Sequence, residues 1–453
     1  MDQKRSSFTG AIGFILAAAG SAVGLGNIWR FPYLAAKYGG GVFLLIYVIL
    51  AVSFGFALMV GEIAIGRKTG LSGVSAFEKL NKKFSFAGYL CAIIPMLILP
   101  YYSVIGGWVT KYLAIFISGG GSESAQDNYF VSYTAITAEP ILWFLLFIGI
   151  TALIVLLGVE KGIEKVSKIM MPVLVVLSIG IAVYTLFLPG ALEGVKYYIL
   201  PDFSNLSFMT VVSAMGQLFY SMSLAMGIMI TYGSYMKKQV NIENSVRRIS
   251  LFDTGIAFFA GLMIVPAVFV FSGGDKAALN KGPGLMFITL PKVFNSMPGG
   301  DIFGTVFFLL VLLAALTSSI SLMETVVSIL QDKLKWKRNT TCFAVLLWCI
   351  VFGVVVSLGF GVLKDIKPLG MDDLLTFFDF VSNSILMPVL ALATCIFIGF
   401  VIKPSAIIEE VEQEGAKFKS KKLFVVMIKY IAPVCILLIL ISSILDAFGI
   451  FVI

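Results

Sequence analysis

The stretch GSAVGLGNIWRFP, Gly20 to Pro32, lies inside a long apolar segment but does not read as a simple membrane helix. Three glycines come close together, followed by Asn27 and by a permanent charge at Arg30. Glycine destabilises a helix by up to about 1 kcal/mol relative to alanine, and interrupted backbone is tolerated in a bilayer only where it is buried or lines a cavity. The stretch therefore indicates either close helix packing through small residues or a helix broken to hold a ligand.

The rest of the chain has the composition of a membrane protein. Of its 453 residues, 59% are hydrophobic and 13% charged, with a mean hydropathy of +1.00. Apolar runs of roughly 20 residues, enough to span a bilayer, recur throughout and predict an all-α integral membrane protein with one domain, 1–453. The eleven predicted transmembrane helices are 11–36, 41–66, 86–118, 140–158, 163–188, 208–238, 242–273, 299–333, 340–360, 371–401 and 423–450.

Charge and composition set the topology and exclude several functions. Lys and Arg concentrate in alternate connections such as 67–83, 237–248 and 403–422, which predicts a cytoplasmic N-terminus and an outside C-terminus. The net charge of +8 is thus a topology signal and no indication of nucleic-acid binding. The sequence has no histidine and no C-x-x-C pair, which argues against a catalytic triad, a histidine proton relay or a zinc framework. The connection 404–422, with four Glu and four Lys, is predicted to be a solvated cytoplasmic segment.

A second apolar segment repeats the unusual feature of the first. QLFYSMSLAMG, 217–227, places Ser221, Ser223 and Gly227 at mid-depth in a span that crosses in the opposite direction. Paired interruptions in corresponding spans are the best sequence pointer to a transporter binding site. They predict a 5+5 inverted repeat, 11–188 and 208–401, with helices 1 and 6 broken and 423–450 as an additional helix.

These motifs together resemble the neurotransmitter:sodium symporter family over nearly the whole chain. Further matches are GEIAIGRK (61–68), ITYGSY (230–235), LTSSIS (316–321) and a G-x9-P pattern from Gly162 to Pro172. The resemblance implies a sodium-coupled amino-acid or amine transporter and no enzyme. It also implies that Gly162 and Pro172 let helix 5 unwind and admit water from the cytoplasm.

The resemblance implies two sodium sites built from oxygen atoms, the ligands that hard cations prefer. The first would combine Ala22, Asn27, Ser221 and Asp253 with the substrate carboxylate, so that ion and substrate complete each other's coordination. The second would use the carbonyls of Gly20, Val23 and Ala314 and the hydroxyls of Thr317 and Ser318. Without the resemblance, hydroxyls that bond back to their own helix are the simpler interpretation of LTSS.

Chloride is not expected to take part. Animal members of the family bind it beside the first sodium site, at positions that match Tyr47, Gln217 and Ser221. The fourth position is Ala257, which has no hydroxyl, whereas Asp253 adds a carboxylate nearby. We expect Asp253 to supply the negative charge in place of chloride.

The implied substrate pocket would take a zwitterionic amino acid with an apolar or aromatic side chain, since it contains no spare charge. Ordinary core packing is the simpler interpretation of Ile98, Met226 or Leu322 taken singly. The pocket residues are Ser21, Ala22, Gly24, Gly26, Ile98, Tyr102, Tyr220, Ser221, Ser223, Met226, Ser318 and Leu322.

Two gates would close this pocket. Arg30 and Asp379 would pair on the outside, and Arg5 and Asp332 on the cytoplasmic side, with Ser234 and Tyr235 as supporting partners. Glu62 has no assigned role, and a charge at a helix end explains it most simply.

The sequence thus predicts a sodium-driven amino-acid symporter of the plasma membrane, with the lipid bilayer and a small amino acid as its partners and no obligatory protein partner. A proton- or exchange-driven permease of the same fold remains an alternative, as do an amino-acid sensor and a channel. A channel would need a continuous polar stripe, whereas the polar residues here cluster at mid-depth.

Overall fold

The computed structural model describes residues 7–272 and 284–447, and these ranges are helical apart from turns and one bridge between Gly40 and Pro201. Within them, nine helices are long and apolar enough to cross a bilayer, or ten if one bent pair counts as a single span. Short helices also lie at Gly121–Ser124 and Tyr129–Ala135. The labelled helices are α1 (Ala11–Ala22), α2 (Gly26–Lys37), α3 (Gly41–Thr69), α4 (Gly73–Leu80), α5 (Lys82–Ile117), α6 (Ala138–Leu156), α7 (Val159–Leu186), α8 (Ala191–Ile199), α9 (Phe208–Ser221), α10 (Ile228–Ser234), α11 (Ile242–Phe271), α12 (Leu285–Asn295), α13 (Gly300–Leu334), α14 (Arg338–Leu358), α15 (Leu374–Val401), α16 (Lys403–Val411) and α17 (Lys421–Leu445).

The first interruption separates α1 from α2. Val23 adopts an extended conformation with φ −75° and ψ 104°, which ends α1, and the two helices meet at an angle of 53°. The amide of Gly24 loses its helical partner at this bend and donates to the Asn27 side-chain oxygen over 3.0 Å. The segment 11–36 is therefore a broken helix, as its glycines predict.

The second interruption, residues 222–227, separates α9 from α10. Ser223, Ala225 and Gly227 have φ values of 51°, 54° and 73°, and such left-handed positions cannot continue a right-handed helix. Each half is shorter than a bilayer-spanning helix requires. The count of eleven spans, which needs α9 and α10 to form one span, stays a prediction, as does the inverted repeat.

Helix α13 lies at the centre of the molecule and packs on α5, α7 and α1. Helix α5 contains Pro100, which has no N–H to donate to the carbonyl of Met96. The indole of Trp348 in α14 donates to that carbonyl over 3.2 Å instead.

Helices α3 and α10 approach until their backbones touch. A methyl group at Gly66 would lie 1.9 Å from the Ile230 carbonyl oxygen, and one at Gly233 would lie 2.3 Å from that of Ile63. The close contact holds α10, the C-terminal half of the second broken segment, firmly against α3.

The prediction of a solvated connection at 404–422 holds only in part, because Gln413, Glu414 and Gly415 and four lysines are exposed but other residues are not. Helix α16 forms within it, and Ile407, Glu410, Val411 and Phe418 are all buried. The charge pattern alone did not indicate this burial, because Glu410 pairs with Arg67 and Lys238, which lie far from it in the sequence.

Candidate functional site and family

Two glycines of the opening stretch leave room for other side chains. A methyl group at Gly24 would lie 2.5 Å from the hydroxyl oxygen of Ser318 and 3.0 Å from that of Tyr102. One at Gly26 would lie 2.4 Å from Cδ1 of Tyr220, so this ring rests directly on the backbone. The helix is therefore broken and its glycines also permit close contact, whereas a ligand held at the break stays a prediction.

A cavity lies between the two helix breaks. Its water-accessible volume is about 20 Å³, room for roughly one water molecule, so the lining side chains lie close together. Every residue of the predicted substrate pocket lines it except Ser221, and Leu25, Asn27 and Ile228 add to the lining. The complete lining consists of Ser21, Ala22, Gly24, Leu25, Gly26, Asn27, Ile98, Tyr102, Tyr220, Ser223, Met226, Ile228, Ser318 and Leu322.

Polar groups of the broken backbone meet hydroxyls at this cavity. The Leu25 amide donates to the Tyr102 hydroxyl over 3.2 Å. The Ser223 hydroxyl donates to the Ser21 carbonyl over 2.8 Å and joins the two breaks directly. The cavity thus combines an apolar wall with polar groups at interrupted helix ends.

Three residues predicted for the first sodium site form one buried cluster. The Asn27 amide nitrogen donates to Oδ1 of Asp253 over 2.7 Å and to the Ser221 hydroxyl over 2.8 Å. Ser221 donates to Oδ1 of Asp253 over 2.7 Å, and Tyr47 donates to Oδ2 over 2.9 Å. The fourth residue, Ala22, ends α1 and lines the neighbouring cavity. A carboxylate, a hydroxyl and an amide thus converge, a donor set that suits a hard cation.

The residues predicted for the second sodium site lie where α1 meets α13. The Ser318 hydroxyl is 3.3 Å from the Val23 carbonyl oxygen, and a methyl group at Gly20 would lie 3.2 Å from Cβ of Thr317. Thr317 donates to the Ala314 carbonyl over 3.0 Å. Thr317 therefore fits the simpler interpretation of LTSS, in which a hydroxyl bonds within its own helix. Ser318 instead bonds across to the end of α1.

The outer gate residues do not pair directly. Both line a second cavity with a water-accessible volume of about 390 Å³, which Tyr220 also lines, but no ion pair joins them among the described residues. The Arg30 guanidinium lies over the Tyr220 ring, 5.2 Å from its centroid. Asp379 accepts hydrogen bonds from Tyr101 and Asn383 over 3.2 and 2.6 Å. The expected ion pair is thus absent from this arrangement because each charge has other partners.

Of the residues predicted for the cytoplasmic gate, Arg5 lies outside the described residues, so its pair with Asp332 stays a prediction. Asp332 accepts hydrogen bonds from the Ser72 amide and hydroxyl over 2.8 and 2.5 Å. Ser234 donates to the Thr231 carbonyl over 2.5 Å. Tyr235 donates over 2.7 Å to Glu324, which pairs with Arg338 over 2.5 Å.

Helix α7 contains both residues of the G-x9-P pattern and remains helical from Val159 to Leu186. A methyl group at Gly162 would lie 2.1 Å from the Ile154 carbonyl oxygen, so only glycine fits there. The unwinding at Gly162 and Pro172 therefore stays a prediction about a different conformation.

Glu62 is a functional candidate that the sequence interpretation missed. It is buried rather than a charge at a helix end, and its Oε1 accepts the Ala225 amide over 2.8 Å, inside the second break. A carboxylate inside an apolar segment is a functional hypothesis by default. That rule, applied to GEIAIGRK, would have found it.

Several known proteins are similar to this chain in sequence or in fold. The Sodium:neurotransmitter symporter family matches residues 5–120 and 135–449. An uncharacterised sodium-dependent transporter of Bacillus subtilis, YhdH, is 36% identical over 452 residues, covering 98% of each chain. The sodium- and chloride-dependent taurine transporter of Rattus norvegicus is 30% identical over 379 residues, which are 73% of this chain and 61% of that protein.

A solved structure agrees over almost the whole length. The crystal structure of MhsT in complex with L-phenylalanine superposes with a TM-score of 0.88 at 37% identity, covering 97% of this chain and all of that one. Broken helices, buried oxygen clusters and these matches lead to one conclusion: the chain is a multi-pass membrane protein that belongs to the sodium:neurotransmitter symporter family.

Proposed function

We propose that this protein is a symporter that takes up hydrophobic and aromatic amino acids with sodium, by alternating access and without chloride. The observation that carries the proposal is the cavity between the two helix breaks, with an oxygen cluster at Asp253 and a second at Ser318. The L-phenylalanine complex of MhsT supports an amino-acid substrate.

The substrate would bind by both of its ends. Helix ends exposed at the breaks offer N–H groups to the carboxylate and C=O groups to the ammonium, and the Tyr102 hydroxyl can reach the carboxylate from beside the Leu25 amide. The side chain would face Ile98, Met226 and Leu322, an apolar wall. The adaptable side chain of Met226 suits several hydrophobic substrates.

Two sodium ions would bind at the oxygen clusters. At the first, the Asn27 amide now presents nitrogen to Asp253 and Ser221, so coordination through its oxygen requires the amide to turn over. The substrate carboxylate would complete that shell. Ion and substrate then stabilise each other, and the coupling free energy acts in both directions.

Chloride independence would follow from Asp253. Two sodium ions bring positive charge into a low-dielectric site, where a nearby negative charge offsets part of the cost. Ala257 lacks the hydroxyl of a complete halide site.

The protein would operate in the cytoplasmic membrane, with its N-terminus inside and its C-terminus outside. Tyr220 would close the cavity from outside, since its ring already covers Gly26. The Arg30 and Asp379 pair, and that of Arg5 and Asp332, would form and break as access alternates. A proton- or exchange-driven permease of the same fold is the second candidate, favoured only by the carboxylates at Asp253 and Glu62.

The test is uptake of labelled phenylalanine into liposomes containing the purified protein. An inward sodium gradient should drive accumulation, and replacement of sodium by choline should abolish it. Leucine, tryptophan and tyrosine should compete more strongly than aspartate or lysine. Equal uptake in choline under a proton gradient would favour the permease, and sodium-dependent binding without flux would indicate a sensor.

A further inference from the structure

A buried ion cluster lies on the cytoplasmic side, far along the chain from the substrate residues. The Glu410 side chain is about 1% exposed, and its Oε1 receives Arg67 and Lys238, each over 2.8 Å. Gln413 donates to Oε2 over 2.9 Å. A buried carboxylate with two cations and an amide is fully paired, and removing one partner would leave charge stranded in a dry site.

Arg67 joins three separate parts of the chain through this cluster. It extends from α3, donates to the Val240 carbonyl over 2.7 Å in the loop that follows α10, and also binds the backbone carbonyl of Glu410 in α16. Arginine suits such a position because its planar fork presents five donors in fixed directions.

A second buried carboxylate binds the C-terminal end of the same connection. Glu243, in the first turn of α11, accepts the amides of Lys419 and Ser420 over 2.8 and 3.2 Å. It also accepts the Ser420 hydroxyl over 2.8 Å. We call residues 403–420 the cytoplasmic strap, since its middle, at Glu410, and its C-terminal end, at Lys419 and Ser420, are bonded to the segments around α10 and α11.

The strap connects two packed units of the molecule. Helices α15 and α17, which it joins in sequence, pack on each other, and α15 also packs on α5. Helix α10 is in backbone contact with α3 and meets the central helix α13 through the Tyr232 hydroxyl, 2.8 Å from that of Ser321. Separation of α10 from α13 on the cytoplasmic side would therefore pull on the strap at Glu410.

From these contacts we infer that Glu410 is a positioning residue. Through Arg67 it holds α3 and α10 against the strap and thereby favours the arrangement that is closed to the cytoplasm. The inference rests on the proposed alternating access. It assigns a role to residues that contact neither substrate nor sodium.

The test uses a reporter cysteine at the interface that would open. Ser321→Cys is buried behind Tyr232, and its reaction with a charged methanethiosulfonate reagent from the cytoplasmic side measures separation of α10 from α13. Glu410→Gln should accelerate that reaction on the order of fivefold, the scale of a modest conformational coupling. The matched control is Glu412→Gln, which removes a partly exposed carboxylate 3.8 Å from Lys421 in the same segment. The chain without Ser321→Cys gives the background of the five native cysteines.

A second variant distinguishes the inferred role of Glu410 from a general loss of stability. Arg67→Leu combined with Glu410→Leu removes the two buried charges and leaves only Lys238, whose side chain is 43% exposed to water. The double variant should therefore fold, keep sodium-dependent phenylalanine binding and still label about fivefold faster. Labelling at the rate of the Glu412→Gln control would overturn the inference, as would loss of folding in the double variant. Labelling requires no transport. If the variants label faster but the unmodified protein shows no sodium-driven uptake, the proposed function is refuted and the inferred role of Glu410 still stands.

Discussion

At the scale of single residues, Asp253 is the most consequential side chain. It is fully buried and accepts hydrogen bonds from Asn27, Ser221 and Tyr47. Asp253→Asn keeps an oxygen ligand but removes the charge that would offset two sodium ions. Because a hydrogen bond to a charged group contributes roughly 1.5–3 kcal/mol, uptake in chloride-free buffer should fall roughly tenfold to a hundredfold.

The same variant provides its own control. Adding Ala257→Ser to Asp253→Asn supplies the missing hydroxyl and should partly restore uptake in chloride but not in gluconate. Chloride-dependent uptake by the unmodified protein would contradict this account. Normal sodium affinity in chloride-free Asp253→Asn would contradict it equally.

Gly26 allows a second prediction at this scale. The methyl group of Gly26→Ala would meet the Tyr220 ring at 2.4 Å and push it off the cavity, so phenylalanine affinity measured by equilibrium binding should drop at least roughly tenfold, the cost of about 1.4 kcal/mol. Gly216→Ala is the matched control, because a methyl group there has no atom within 4 Å. If both variants bind equally well, Tyr220 does not cover the substrate.

At the scale of elements, both breaks depend on side chains from other helices. At the break after α1, Asn27 accepts the Gly24 amide locally, and Tyr102 of α5 accepts the Leu25 amide. The break before α10 depends on Glu62, which receives the Ala225 amide from another helix. An interrupted helix thus persists in apolar surroundings because side chains replace its missing backbone partners.

The prediction at this scale concerns Pro172 in helix α7. Pro172→Ala restores an N–H that can bond within the helix, so the predicted unwinding should become harder. We expect the uptake rate to fall several-fold while sodium-dependent phenylalanine binding stays unchanged. Gly180→Ala in the same helix, where a methyl group has no atom within 4 Å, should leave both unchanged. If Pro172→Ala leaves uptake unaltered, the G-x9-P pattern has no role in transport.

At the scale of the whole molecule, access is expected to depend on few charge pairs. Arg5→Ala removes one partner of the predicted inner pair and should favour the arrangement open to the cytoplasm. The Ser321→Cys reporter should then react faster, whereas Lys4→Ala, the neighbouring basic residue, should not change its rate. Equal rates would mean that Arg5 serves only to orient the N-terminus.

The membrane class, the positions of both helix breaks and nearly the whole cavity lining could be predicted from the sequence. The length of the apolar runs and the Gly, Ser and Asn residues within them are local properties, and the family motifs identified the pocket residues. The partners of Glu62 and Glu410, and the position of Arg30 over Tyr220 instead of beside Asp379, became visible only in the folded structure. Those contacts join residues up to 343 positions apart in the chain, and which groups meet depends on the packing of whole helices, which no local pattern specifies.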